Sequence, residues 1–180
     1  MIDVAANRLA HKWSRREQVA RILWALAYPA FRLSPRIRWG WRRWLLCRFG
    51  ATVGAQVHVY PSVRITMPWN LTLSPGCAVG DRAILYALGP ISIGARATIS
   101  QGAHLCAGTH DHTRADRPLL KRPITIAPDS WIAAEAFIGP GVEIGPRSII
   151  GARAVVMKSV GPGLILAGNP ACQIGTATEE

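Results

Sequence analysis

From Ile126 onward the chain repeats every six residues, with aliphatic side chains at Ile132, Ile138, Ile144, Ile150 and Val156. Four positions after each comes a small or β-branched residue: Ser130, Ala136, Val142, Ser148, Ala154 and Val160. The slot next to the aliphatic holds Ala127, Ala133, Gly139, Gly145 and Gly151. Earlier registers of the same period run Val53, Val59, Ile65, Leu71, then Leu73, Val79, Leu85, Ile91, then Ile93, Ile99, Leu105. Six matches neither the 3.6-residue period of a helix nor the two-residue period of a long strand. It predicts short strands that each end in a sharp turn, three of them closing a triangular coil of about 18 residues. The aliphatic residue fills the interior and the small residue relieves crowding. Glycine and proline at 139–141, 145–146 and 161–163 suit the turns. Trp69 and Gly89 break the small-residue rule and predict irregular turns.

Ahead of the repeat the pattern is helical. Ser14-Arg-Arg-Glu17 reads as a capping box. Val19, Ile22, Leu23 and Leu26 then form one apolar stripe, which Pro29 is expected to end or kink. Ser34-Pro35 reads as a second helix start. Trp41, Trp44, Leu45 and Phe49 make the next stripe, with Arg38, Arg42, Arg43 and Arg48 interleaved, and Gly50 is a stop signal. The chain therefore divides into a helical segment, 1–50, and an all-β solenoid, 51–180.

Charge sharpens that division. The net charge is +11, and residues 1–50 carry 11 Lys/Arg against two Asp/Glu, together with five of the seven tryptophans. Two readings of these helices stay open: apolar faces packed on the solenoid beneath a solvated arginine surface, or a peripheral membrane anchor over residues 15–49. Nucleic-acid binding is set aside, because no helix-turn-helix, zinc-finger or RNP pattern accompanies the charge. The longest strongly apolar run, Ile22–Phe31, is too short to span a bilayer. No small-residue cleavage site follows it. Cys47, Cys77, Cys106 and Cys172 are widely spaced, which fits reduced thiols better than a disulfide framework or a zinc ribbon. The expected location is the cytoplasm, free or peripheral on the inner face of the cytoplasmic membrane.

One segment escapes the repeat. Residues 108–122 are polar and charged, and they include His110 and His112. A loop leaving a rigid solenoid is where function is expected.

The repeat, together with Ala-Gly-Thr-His110-Asp, Trp131-Ile-Ala-Ala and Ala-Gly-Asn-Pro-Ala at 167–171, resembles the hexapeptide-repeat acetyltransferases. Within them the chain is most similar to the colanic-acid (exopolysaccharide) biosynthesis O-acetyltransferases. That likeness rests on Gly-Trp-Arg-Arg-Trp-Leu-Leu at 40–46, Tyr-Pro-Ser-Val-Arg at 60–64 and Pro-Trp-Asn-Leu at 68–71. Ile-Ser-Gln-Gly-Ala at 99–103 and Trp-Ile-Ala-Ala-Glu-Ala-Phe at 131–137 extend it. The resemblance spans residues 36–175 and implies a left-handed parallel β-helix, an exception to the right-handed crossover rule.

It also implies a reaction: transfer of acetyl from acetyl-CoA to a sugar hydroxyl, on a glycan or lipid-linked intermediate, by a homotrimer with CoA between subunits. His110 takes the place of the general base, a role that suits a neutral imidazole. The implied CoA contacts are Trp131, Ala134, Ala152, Arg153, Met157 and Lys158. Ala134 stands where relatives often have Ser or Gly, so only its backbone N–H can serve the oxyanion. Met157 replaces a common Thr, and Cys172 replaces a basic residue, leaving Arg153 and Lys158 for the adenosine phosphates. Asn70, Asp81, Tyr86, Asp111 and His112 are the acceptor candidates. No metal is expected. A γ-carbonic-anhydrase-like zinc enzyme is the first alternative, but it needs a His-x4-His pair some 35 residues after another histidine, and histidines 58, 104, 110 and 112 do not supply that. A non-catalytic scaffold is the second, and it would need no His-Asp in a lengthened loop.

Overall fold

The computed structural model describes residues 4–177. Three helices, α1 (Val4–Leu9), α2 (Arg15–Arg32) and α3 (Trp39–Arg48), precede a left-handed β-helix. Its first sheet stacks β1 (Thr52–Val53), β4 (Leu71–Leu73), β7 (Ile91–Ile93), β12 (Ile124–Ile126) and β15 (Glu143–Ile144). The second stacks β2 (His58–Val59), β5 (Ala78–Val79), β8 (Thr98–Ile99), β13 (Trp131–Ile132), β16 (Ile149–Ile150) and β18 (Leu164–Ala167). Antiparallel β19 (Cys172–Thr176) closes it. The third stacks β3 (Arg64–Ile65), β6 (Ile84–Tyr86), β9 (His104–Cys106), β14 (Phe137–Ile138) and β17 (Val155–Val156). The six-residue aliphatics all point inward, and Ile93, Ile99, Leu105, Ile132, Ile138 and Ile150 are fully buried.

The coils are not all of one size. Ile126 pairs with Ile144, 18 residues on, as the period requires. Val53 pairs with Leu73 and Leu73 with Ile93, however, so the early coils take 20. In β4 and β7 two residues of each strand face inward, Leu71 with Leu73 and Ile91 with Ile93. The two-residue slips in the sequence are these longer strands. The turns before them are the irregular ones: a 3₁₀ turn at Pro68–Asn70 and a tight Leu88-Gly89 bend.

At most of the regular corners the second turn residue sits in the left-handed region, and most of these are not glycine: Gln56, Arg82, Arg96, Asp129, Glu135, Arg147 and Arg153. Stacked turns place these side chains over one another. Arg96 meets Asp129 at 2.6 Å and Arg153 meets Glu135 at 2.6 Å. The ion pairs are solvent-exposed, so each is worth little, but they offset the strain of a side chain at positive φ.

The helices cap the first coil differently from expectation. The Ser14–Glu17 capping box forms, with both reciprocal bonds present. Pro29 does not end α2, which continues to Arg32. The buried stripe is Trp24 and Phe31, flanked by Ala27 and Tyr28, and Trp24 Nε1 donates to the Ile65 carbonyl at 2.8 Å. Val19, Ile22, Leu23 and Leu26 face solvent instead. Ser34-Pro35 starts no helix: the Ser34 hydroxyl donates to the Phe31 carbonyl, and α3 begins at Trp39. In α3 the inward residues are Arg42, Leu45 and Leu46, while Trp41 and Trp44 stack on each other at the surface, 5.1 Å apart. Gly50, at φ +86°, turns the chain into β1.

Candidate active site

The segment 108–122 is a β-hairpin. β10 (Gly108–His110) pairs antiparallel with β11 (Leu119–Lys121), His110 standing opposite Leu119. It leaves the prism at the edge between the third and first sheets, where β9 would otherwise turn into β12. His110 is exposed at the end of β10, and its Nδ1 lies 2.8 Å from the Arg117 carbonyl oxygen. A carbonyl oxygen only accepts, so Nδ1 carries the hydrogen and Nε2 keeps its lone pair for an incoming proton. The hairpin tip holds itself in shape. Asp111 Oδ1 accepts from the hydroxyl (2.6 Å) and N–H (3.0 Å) of Thr113, which lowers the carboxyl pKa. Arg114 makes a two-point pair with Asp116. Asp111 therefore has one oxygen engaged inside the loop, and His112 is exposed beside it.

The same edge carries others of the expected residues. Tyr86 packs edge-on to His104, and His104 edge-on to Phe137, at ring separations of 6.4 and 5.2 Å. Among the described residues His104 Nε2 is buried without a hydrogen-bond partner, and burial lowers the pKa of the ring. Met157 and Lys158 follow β17 at this edge, with the Met157 thioether lying close over Gly139. Asn70 is at this edge too, but its amide donates to the Ala87 and Leu88 carbonyls at 2.8 and 3.1 Å, so it braces a turn.

A second group lies at the edge between the second and third sheets. Ala134 and Ala152 are the first residues of turns on successive coils, linked by the Arg153 N–H to Ala134 carbonyl bond of 2.9 Å. Among the described residues no acceptor takes the N–H of Ala134 or Ala152, and Ala152 is exposed. Trp131, on the outer face of the second sheet before this edge, donates from Nε1 to the Ser100 hydroxyl at 2.8 Å. Asp81 sits two coils above Ala134 and accepts from the Ser62 hydroxyl at 2.8 Å. It borders a groove of about 420 Å³ with Tyr60, Arg82, Ser100 and Gln101. The expected site residues thus fall on two different edges of one prism, and a single chain does not bring His110 to Ala134.

Residues to which the sequence gives no role in the site also reach the hairpin. Asn7 donates to the carbonyls of Asp116 (2.8 Å) and Arg117. Glu17 pairs with Lys121 at 3.5 Å, and the Lys121 ammonium lies 4.1 Å from the centre of the Trp13 ring. No motif signals these contacts, which join residues about a hundred positions apart. Among the described residues no three His, Cys, Asp or Glu side chains are grouped to hold a metal ion.

A six-residue repeat wound into a left-handed prism, interrupted by one histidine-bearing hairpin, defines the class, and the chain belongs to the hexapeptide-repeat acetyltransferases. Residues 123–158 match the family model described as bacterial transferase hexapeptide (six repeats). The chain is 42% identical over 159 residues to a protein of Escherichia coli (strain K12) assigned as the colanic acid biosynthesis acetyltransferase WcaF, covering 88% of this chain and 87% of that one. Among solved structures it is similar to a hexapeptide-repeat acetyltransferase of Vibrio cholerae O1 biovar eltor complexed with acetyl-CoA. There the TM-score is 0.85 at 20% identity, covering 94% of this chain and 93% of the other. A galactoside acetyltransferase in complex with coenzyme A gives a TM-score of 0.82 at 26% identity, covering 97% and 89%.

Proposed function

We propose that this chain transfers an acetyl group from acetyl-CoA to a sugar hydroxyl on a glycan or lipid-linked intermediate of exopolysaccharide synthesis. The observation that carries the reading is the His110 Nδ1 to Arg117 carbonyl bond, which aims a proton-accepting Nε2 outward from a protruding hairpin. Nε2 takes the proton of the acceptor hydroxyl as that oxygen forms a bond to the thioester carbonyl carbon. The electron pair of the C=O moves to oxygen, and the backbone N–H of Ala134 is placed to stabilise it. Collapse of the tetrahedral species breaks the C–S bond, and the CoA sulfur leaves with the proton from His110.

His110 and Ala134 meet only if one copy lends its hairpin edge to the Ala134 edge of another. Threefold symmetry does this three times over with one kind of contact. The active species is therefore a homotrimer of about 3 × 19.5 kDa. In that assembly Trp131, Ala152, Arg153, Met157 and Lys158 line the CoA groove, with Tyr86, Asp81, Asp111 and His112 facing the acceptor. Arg153, paired with Glu135, has to exchange partners to reach a phosphate.

The experiment measures acetyl-CoA-dependent transfer to the cell's exopolysaccharide precursors, read by mass spectrometry as an added acetyl group. His110→Ala should lower the rate by about 10²–10⁴-fold with the fold intact. Wild-type turnover in that variant, or full activity in a monodisperse monomer, would overturn the reading.

The outer face of the helical segment extends it. No described helix is long and apolar enough to cross a membrane. Ile22, Leu26, Leu33, Ile37 and Trp44 are nevertheless more than half exposed, beside the exposed arginines 32, 38 and 48. This face is suited to the surface of an anionic bilayer, where a lipid-linked acceptor would be found.

A further inference from the structure

The Arg117 carbonyl that fixes His110 has a second donor. Arg117 stands at φ +40°, in the left-handed region, so its carbonyl direction is not set by a strand ladder. Asn7 of α1 donates from Nδ2 to that same oxygen and to the Asp116 carbonyl beside it. The amide cannot be turned the other way, because Lys12 Nζ donates to Asn7 Oδ1 at 2.5 Å and an ammonium offers no acceptor. The oxygen's two lone pairs thus serve Asn7 and His110, one each.

The arm that carries Asn7 is fastened to the hairpin at a second point. Arg21 and Lys121 both lie over the Trp13 ring, 4.8 and 4.1 Å from its centre, and Glu17 pairs with Lys121. On the hairpin ladder Lys121 faces Gly108, two residues before His110. α1 is therefore held against the loop it supports, 103 positions away in sequence from the histidine.

We propose that Asn7 is a positioning residue for His110. By holding the Arg117 carbonyl, it keeps the imidazole in the Nδ1–H tautomer with Nε2 directed at the acceptor. The proposal rests on the reading of His110 as the base, but its first test does not need turnover. ¹⁵N-histidine NMR of the full chain, with the His110 signals assigned through His110→Gln, reports the tautomer directly. In the wild type Nδ1 should be the protonated nitrogen; in Asn7→Ala the Nε2–H form should rise, and Asn7→Gln, which keeps the donor, should restore part of the shift. Asn7→Asp keeps the shape but offers no N–H, and should behave like Asn7→Ala.

In acetyl transfer, Asn7→Ala should lower kcat about tenfold, leave KM for acetyl-CoA unchanged, and cost nothing further in a His110→Ala background. A role confined to stability would move the melting temperature and lower both backgrounds alike. An unchanged His110 tautomer in both Asn7→Ala and Asn7→Asp would overturn the positioning role. An Asn7-dependent tautomer in a protein that releases no CoA from acetyl-CoA in the presence of the cell's exopolysaccharide precursors would instead overturn the transferase reading and leave this one standing.

Discussion

Arg42 of α3 donates from its Nε to the carbonyl of Val59 in β2, at 2.6 Å. The side chain is wholly buried, and among the described residues no carboxylate meets it. Its other N–H groups go to the Ser34 hydroxyl and the carbonyls of Pro35 and Arg36, at 2.8, 2.8 and 2.6 Å, with the Trp39 ring 4.7 Å away. Burial lowers the pKa of the guanidinium, and the three carbonyls and one hydroxyl take up its N–H groups. One side chain thereby ties the α2–α3 connection to the first coil. This also explains why Ser34 is unavailable as a helix cap.

Removing Arg42 should cost more than removing any exposed arginine. Arg42→Met leaves four acceptors without their donor, at roughly 1–3 kcal/mol for each that water cannot reach. A loss of at least about 3 kcal/mol is expected, read as a lower denaturant midpoint. Arg42→Lys should recover only a fraction, since an ammonium cannot span the same fork of acceptors.

Gly145 is the second test of the fold. Its φ is ordinary, but a Cβ there would lie 2.5 Å from the nitrogen of Pro162 and 2.6 Å from the carbonyl carbon of Gly161, both backbone atoms of the next coil. Gly145→Ala should destabilise by about 1–3 kcal/mol. Gly161→Ala is the control, because its added methyl meets only Leu164 Cδ1 at 3.6 Å. Equal melting temperatures for the two variants would show that the coils can slide apart.

The solenoid is legible in the sequence because a period of six leaves one arrangement of inward aliphatics, and so is the projecting hairpin that carries His110, because it falls in the longest break of that period. The helices are less legible. Two stripes compete on α2, and periodicity cannot say whether Val19-Ile22-Leu23-Leu26 or Trp24-Phe31 turns inward. The choice falls to Trp24, which buries a larger ring and finds the Ile65 carbonyl for its N–H. In the sequence Arg42 is one of a row of arginines, and only the tertiary fold supplies its acceptors. The contact of Asn7 with Arg117 has no sequence signature at all, because a single amide reaching a backbone carbonyl leaves no pattern.

His104 gives stability a pH dependence. Its folded-state pKa lies below the ordinary imidazole value, for burial disfavours the charged ring. A depressed folded-state pKa means the unfolded chain binds the proton more readily. The contribution is complete above the unfolded pKa, near 6.5, and is lost as pH falls through the folded value. Thermal midpoints should therefore decline between pH 7.5 and 5, and His104→Gln should flatten that decline.

The helical face yields the remaining prediction. Leu26 is 74% exposed and Leu33 83%, on a segment whose charge is strongly positive. Two copies of such a face repel each other, whereas an anionic lipid surface attracts both the arginines and the stacked Trp41–Trp44 pair. Each arginine near that surface contributes about 1 kcal/mol, screened by salt. Wild-type protein should co-sediment with phosphatidylglycerol-containing vesicles at low salt and be released at high salt. Changing the exposed Arg32, Arg38 and Arg48 to Glu should abolish binding, while Arg42 is left untouched because its loss would unfold the cap. Leu26→Asp should weaken binding without changing its salt dependence. Failure of the wild type to bind at low salt, with a trimer mass unaltered by Leu26→Asp, would remove the bilayer as the partner of this face; a shift of that mass to monomer would assign the face to a second copy of the chain.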